Sequence, residues 1–189
     1  ASVGAVTNSS TFTNAGTVAS IADNSAGTFG NSGTVTGTSN VTGGTVTNSG
    51  AMTGATTIGG SGQVDSTGTM GAVSNAGILN VNDGTAGAVT STGTTLVGDG
   101  AGATATVASL DVDGGVTTVG ADGDVTGLTD IAAAGQVNST GDLGDVTNAG
   151  TLNVDAGTAD AVTNSGTANI DAGASTDAVA NTGTLQVDG

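Results

Sequence analysis

Apolar residues along this chain recur with a fixed spacing: a residue at i is followed by others at i+6 and i+8, all of one parity, with Thr, Ser and Asn mostly between them. Period two is the signature of a strand with one buried face, not of a helix. The pattern is clearest near the C-terminus. Val146-Thr147-Asn148-Ala149-Gly150-Thr151-Leu152-Asn153-Val154 is followed 16 residues later by the copy from Val162 to Ile170, and 17 after that by the copy from Val179 to Val187. Earlier copies lead with Phe12, Phe29, Val46, Val64, Val73 and Val89. Between the apolar ends sits Asn-Ser-Gly or Asn-Ala-Gly. Gly accepts a backbone that bulkier residues avoid, and Asn hydrogen-bonds a bend, so the chain is expected to turn there.

A short β-branched strand, a Gly corner and a second short strand every 16 to 18 residues make one coil of a narrow β-solenoid. The fold class expected is therefore all-β. One domain spans residues 1–189, with about 11 coils and a rod roughly 50 Å long at ~4.8 Å per coil. The pairs Val64/Val73, Val107/Val116, Val116/Val125 and Val137/Val146 are separated by 9 residues, which suggests a coil of two similar halves. Stacked coils place like residues over like. Asn14, Asn31, Asn48, Asn75, Asn148, Asn164 and Asn181 are thus expected to form an amide ladder at one corner. Asn8 shares the motif position but lies too close to Asn14 for a successive coil. The stretch 98–135 is less regular. Its 12-residue step from Val125 to Val137 reads as a bulged or inserted segment, with room for a helix of at most two turns around Leu128 to Ala134.

Composition narrows the partners. The chain has no Lys, Arg, His, Cys, Pro, Trp or Tyr, and its 16 acidic residues, all Asp, give a net charge of −16. Without basic side chains it lacks the counterion-releasing contacts of nucleic-acid binding and the polybasic segments that seek anionic membranes. No apolar run approaches the ~20 residues that span a bilayer, and no charged-then-apolar leader opens the chain. Disorder is the competing reading of so Gly-rich and acidic a composition, but the strict register of Val and Thr argues against it. The last repeat stops without a cap. The expectation is either a piece of a longer solenoid or a subunit that polymerises end to end.

Phrases such as Val162-Thr163-Asn164-Ser165-Gly166-Thr167 resemble the (I/V)-x-N-(S/A)-G-T-(I/L/V) phrase of bacterial autotransporter passengers and filamentous haemagglutinin-like adhesins. The resemblance covers most of residues 6–97 and 137–189. It implies a β-helical stalk in a secreted or surface-anchored bacterial adhesin or fibre, and hence an extracellular location.

Aspartates supply the candidate sites. Asp155, Asp171 and Asp188 hold one place in successive repeats, with Asn82-Asp83 close to that register. Stacked carboxylates repel, and a hard cation such as Ca²⁺ relieves the repulsion. The plainer reading is a solvated acidic edge. Asp111/Asp113 and Asp122/Asp124 form two D-x-D pairs. The second, with Gly123 between its acids, is the better calcium candidate, although neither fits an EF-hand or a calcium β-roll. No cofactor other than Ca²⁺ is expected.

Catalysis has almost no inventory: a Ser nucleophile would lack its usual base, and only paired Asp residues could carry acid and base work. The chain is read as not an enzyme. Thr-x-Thr triplets at Thr11–Thr13, Thr34–Thr36, Thr45–Thr47 and Thr104–Thr106 raise an ice-binding idea, but their spacing does not keep one row per coil. Asn8, Asn40 and Asn138 head formal glycosylation sequons. The expected function is a structural subunit or segment of an extracellular bacterial fibre or matrix that self-associates into filaments. A monomeric adhesin stalk with an unidentified receptor or glycan is the alternative, and an ice- or calcium-binding module the lesser one.

Overall fold

The structure, a computed structural model, describes residues 1–188; Gly189, which closes the last repeat of the sequence, lies outside the described residues. It is an all-β solenoid in which, among the described residues, 25 short strands wind into about 11 coils without a helix, and the described strand pairings are all parallel. Each coil has three faces. In the second coil Phe29 and Asn31 point inward from Thr28–Asn31 on face one, and Val35 points inward from Thr34–Val35 on face two. Ser39 and Val41 then point inward from the start of Ser39–Asn48 on face three, and that strand runs past Gly43 and Gly44 into face one of the next coil. Alternation explains the parity seen in the sequence, because every second residue of a strand faces the interior.

Five inward columns result. The leading column of face one runs from Phe12 through Phe29, Val46, Val64 and Leu79, and ends in Leu152, Ala168 and Leu185. Phe12 and Phe29 stack in it with ring centroids 5.0 Å apart. Small side chains suffice because the core is one residue deep on each side, and a run of Val, Ile and Leu closes it from Val6 to Ile170.

The expected single Asn ladder is two ladders on two faces. Asn14, Asn31 and Asn48 stack in the trailing column of face one: each Nδ2 donates to the next Oδ1 at 2.7 Å, and Asn48 then donates to Ser66 Oγ at 3.0 Å. Asn75, Asn148, Asn164 and Asn181 stand instead in the trailing column of face three, where Asn148 donates to Asn164 and Asn164 to Asn181, each at 2.7 Å. Asn8 belongs to that second column and donates to Asn24 at 2.7 Å, which explains its closeness to Asn14. Each amide also ties its own corner. Asn148 Oδ1, for example, accepts from the Gly150 N–H at 3.0 Å, and its Nδ2 donates to the Thr167 carbonyl at 2.8 Å. The Asn-x-Gly phrase is therefore a unit of one corner and not of one coil.

Other expectations are also corrected. The coil is not two similar halves: faces one and three each offer two inward residues, while face two offers one, apart from the coils where Ala105 beside Val107, and Gly123 beside Val125, add a second. Val116 breaks the nine-residue series, since it points outward and is 38% exposed, and Thr117 fills the inward place beside Thr95. The step from Val125 to Val137 does carry inserted residues, 12 against 10 for Val107 to Thr117 in the coil before and 9 for Leu143 to Leu152 in the coil after. A turn at Ala133 and Ala134 takes them up, while Thr129–Ile131 keeps its pairing with Leu110–Val112 on one side and Val146–Asn148 on the other. No helix forms at Leu128 to Ala134. Leu128 is 48% exposed at a corner, and the Gly that follows the Ala run, Gly135, starts the next strand. The longest extra stretch of the irregular region lies at 99–104, where the step from Thr95 to its partner Thr117 lengthens to 22 residues, and the next step, from Thr117 to Val137, takes 20.

Candidate functional site

The corner between faces one and two carries Asp83, Asp99, Asp122, Asp155, Asp171 and Asp188. Asp83 follows Val81 there, Asp99 follows Val97 one coil on, and Asp122 follows Val119 one coil further. The chain between 98 and 104 leaves the coil at this corner and folds back over it. Gly98 and Gly100 adopt φ of +75° and +77°, a left-handed backbone that suits glycine. A side chain at Gly98 would also collide with Asp122 Oδ1.

The fold-back lays backbone donors onto a carboxylate. Asp122 Oδ1 accepts from the Gly100 N–H at 2.7 Å, its Oδ2 accepts from Gly102 at 3.3 Å, and Asp99 Oδ1 accepts from Ala101 at 3.0 Å. The Gly100 N–H is the main reason that the Asp122 carboxyl sits below the ordinary carboxylate range; partial burial acts the other way and is outweighed. One oxygen from each of Asp83, Asp99 and Asp122 lies within 4.8 Å of the others, the one such acidic group among the described residues. Three converging carboxylates are the donor chemistry of a hard cation, and Ca²⁺ takes six to eight oxygens, so carbonyls or waters would have to complete the shell.

Of the five expected calcium residues Asp122 joins this group, and Asp83, noted near the register of Asp155, Asp171 and Asp188, joins it too. Asp155, Asp171 and Asp188 do stack at the same corner on successive coils, with the Asp171 N–H on the Val154 carbonyl at 2.9 Å and the Asp188 N–H on the Ile170 carbonyl at 3.0 Å. All three side chains are exposed, in keeping with a solvated edge. Asp124 points away from Asp122, because the corner ends at Gly123 and Asp124 already belongs to the strand Gly123–Val125 on face two. It lies beside Asp142, whose Oδ1 accepts from Thr158 Oγ1 at 2.8 Å, and Asp160 lines the same shallow depression. Burial first, and then the Asp142 charge, raise the Asp124 carboxyl above its ordinary value. Asp111 is raised by burial and by Asp113 and Asp130, the latter directly beside it in the next coil.

Two features escaped sequence reading. Asp83 and Asp99 meet Asp122 only because three coils and the fold-back bring them together, and no linear spacing encodes that. An outward amide ladder also runs along face one: Asn169 Nδ2 donates to Asn153 Oδ1 and Asn153 Nδ2 to Asn138 Oδ1, each at 2.7 Å. Its donors point toward the N-terminal end, opposite to those of the two inner ladders. The sequence signal was there, since Asn153 and Asn169 hold one place in successive repeats. The sequon residues Asn8 and Asn138 are both engaged in ladders. The Thr-x-Thr triplets are divided, with Thr11–Thr13 and Thr45–Thr47 on face one and Thr34–Thr36 on face two.

No helix among the described residues is long and apolar enough to cross a membrane. Compared with models of protein families, with curated proteins and with solved structures, the chain matches none. What stands established is the architecture, a three-faced all-β solenoid of about 11 coils.

Proposed function

We propose that the chain is a structural rod, a subunit or segment of an extracellular bacterial fibre or matrix, in which coils stack along one axis and associate end to end. The observation that carries this reading is that the outermost described coils repeat the interior ones. Ala174–Asn181 and Thr184–Val187 keep full parallel register with the coil before them, and Val187, 65% exposed, stands in the same column as buried Ile170. What an interior coil offers its neighbour, an outer coil offers to any coil placed upon it, in the same chain or in another. The resemblance of the Asn-x-Gly phrase to adhesin and autotransporter stalks supports a surface location, and a chain without Lys or Arg offers trypsin-like proteases no cleavage site. We assign it no catalytic role and no nucleic-acid partner.

Calcium binding is the second reading, favoured by the convergence of Asp83, Asp99 and Asp122. One experiment separates the readings: electron microscopy of the purified chain in EDTA and in millimolar Ca²⁺. Uniform filaments in both are expected. Dispersed short rods in both would replace the fibre by a monomeric stalk. Filaments that form only with Ca²⁺ would assign the acidic corner a role in assembly.

A further inference from the structure

We propose that two copies of this chain pair side by side through face one, antiparallel, about a two-fold axis that crosses the rod at Thr94 and Leu96. The contact uses the flank of the rod and forms with or without end-to-end association. Face one is nearly free of charge. Among the described residues Asp65 is the only aspartate that projects outward from it, and Gln63 Nε2 and Asn80 Nδ2 donate to that carboxylate at 2.9 and 2.6 Å. Face three carries Asp23, Asp111 and Asp130 outward, and face two carries Asp124 and Asp142. Two rods of net charge −16 therefore approach through face one with least repulsion.

This face has an apolar centre. Ile78, Leu96 and Val116 project outward from three successive coils, and Ile78 is 42% exposed. Apolar side chains ringed by uncharged polar ones are the anatomy of a protein interface. The order of residues supplies the two-fold. The first outward column reads Gln63, Ile78, Thr94, Val116 and Gln136 in successive coils, with threonine in the three coils on either side. It is the same sequence in both directions, with Ile and Val exchanged. An antiparallel copy centred on Thr94 thus sets Ile78 on Val116 and, in the second outward column, Leu96 on Leu96. A parallel copy would set Ile78 on Asn80 and Val116 on Thr118, apolar on polar.

The second column is complementary where it is not symmetric. Gly30 comes to lie opposite Asn169, a gap opposite a side chain, and Asp65 opposite Asn138. Asn138 Oδ1 accepts from Gln136 at 2.8 Å and from Asn153 at 2.7 Å, while its Nδ2 has no acceptor among the described residues. That amide is placed to donate to the partner's Asp65. From Thr11 to Thr184 the face is about 48 Å long and about 13 Å wide, so pairing buries roughly 1,200 Å² over both copies, enough for a stable interface. One rim opposes it. The corner with Asp83, Asp99 and Asp122 comes beside its own copy, and the pair is expected to tighten as salt screens that repulsion.

Single spin labels test the arrangement, because the chain has no cysteine of its own. Ser32 and Ser49 are exposed on the corner beside face one, in the second and third coils. Pulsed electron-electron resonance on Ser32→Cys and Ser49→Cys chains is expected to give about 40 and 31 Å, since the partner's residue lies eight and six coils away at ~4.8 Å per coil and ~10 Å across the sheets. Distances that are equal at the two positions, or absent at both, would overturn the pairing and leave end-to-end assembly standing. Leu96→Asp is expected to weaken the pair at least tenfold by sedimentation and to erase both distances, whereas Thr163→Asp, the same charge on face three, keeps them. Leu96→Thr, matched to the threonines around it, should weaken the pair in the same direction, which separates loss of the apolar centre from a folding defect. Both distances surviving in the two Leu96 variants would also overturn the proposal.

Discussion

Replacing Asn31 by Leu is expected to cost about 2–4 kcal/mol of stability, read from urea or thermal melting. Leu has nearly the right volume and greater hydrophobicity, so burial alone would predict a gain. The ladder reverses the sign. Asn31 Oδ1 accepts from Asn14, and its Nδ2 donates to Asn48 at 2.7 Å and more weakly to the Ala51 carbonyl at 3.3 Å. All three amides of the column are buried. With Leu in the middle, Asn48 Oδ1 loses its donor and Asn14 Nδ2 keeps only the Thr34 carbonyl at 3.2 Å. A buried polar group without a partner costs more than a satisfied one contributes. Coupling gives a sharper result. The same column holds Val81, Val97 and Val119 in later coils, so a ladder removed whole is tolerated where a broken one is not. The triple variant Asn14→Val/Asn31→Val/Asn48→Val should lose clearly less than the sum of its three single variants. Additive losses would show that the amides act separately.

Adding one methyl group at Gly50 is expected to be as damaging, at about 3 kcal/mol. Gly50 has ordinary negative φ, so its requirement is space and not backbone conformation. A Cβ there would strike the carbonyl oxygen of Gly33 in the coil below, and would lie 2.8 Å from the Ser32 carbonyl carbon and 2.9 Å from the Gly33 nitrogen. The atoms met are backbone, which cannot swing aside, and moving them breaks the corner bond from the Ala51 N–H to the Gly33 carbonyl at 2.9 Å. Gly114→Ala is the control, because nothing lies within 4 Å of a Cβ built there. Its melting should stay within about 0.5 kcal/mol of the parent chain. Equal losses at Gly50 and Gly114 would mean that glycine matters here for chain flexibility and not for close stacking.

These two positions mark how far the fold could be read from sequence. Strand parity and the Gly corners are local properties, so the all-β solenoid and the coil number were legible from phrases such as Val162 to Ile170. Coil phase was not. Asn48 and Asn75 carry the same Asn-x-Gly phrase, yet one ends face one and the other ends face three, because both corners make the same demand of the backbone. Only the step from Val64 to Val73, which skips from face one to face three, betrayed the change. Val116 was misplaced for a related reason: Gly114 and Gly115 shift parity at the corner, and Thr117 is apolar enough through its methyl group to take the inward place. The acidic corner was half legible. Asp122 beside Gly123 was recognised as a turn carboxylate, but Asp124 was the wrong partner, since two residues of strand carry it to another face. Asp83 and Asp99 converge through stacking, and stacking order is a consequence of the whole fold.

The account rests on coils piled at a constant rise. The most direct test is pulsed electron-electron resonance between spin labels placed along one outward column of face one, in chains diluted with unlabelled protein. Thr13, Asn80, Asn138 and Gln186 stand in that column at the first, fifth, eighth and eleventh coils. Labels at Thr13 and each of the others should give narrow distances of about 19, 34 and 48 Å, growing by ~4.8 Å per coil. Distances that broaden, or that stop growing between Asn138 and Gln186, would contradict the solenoid.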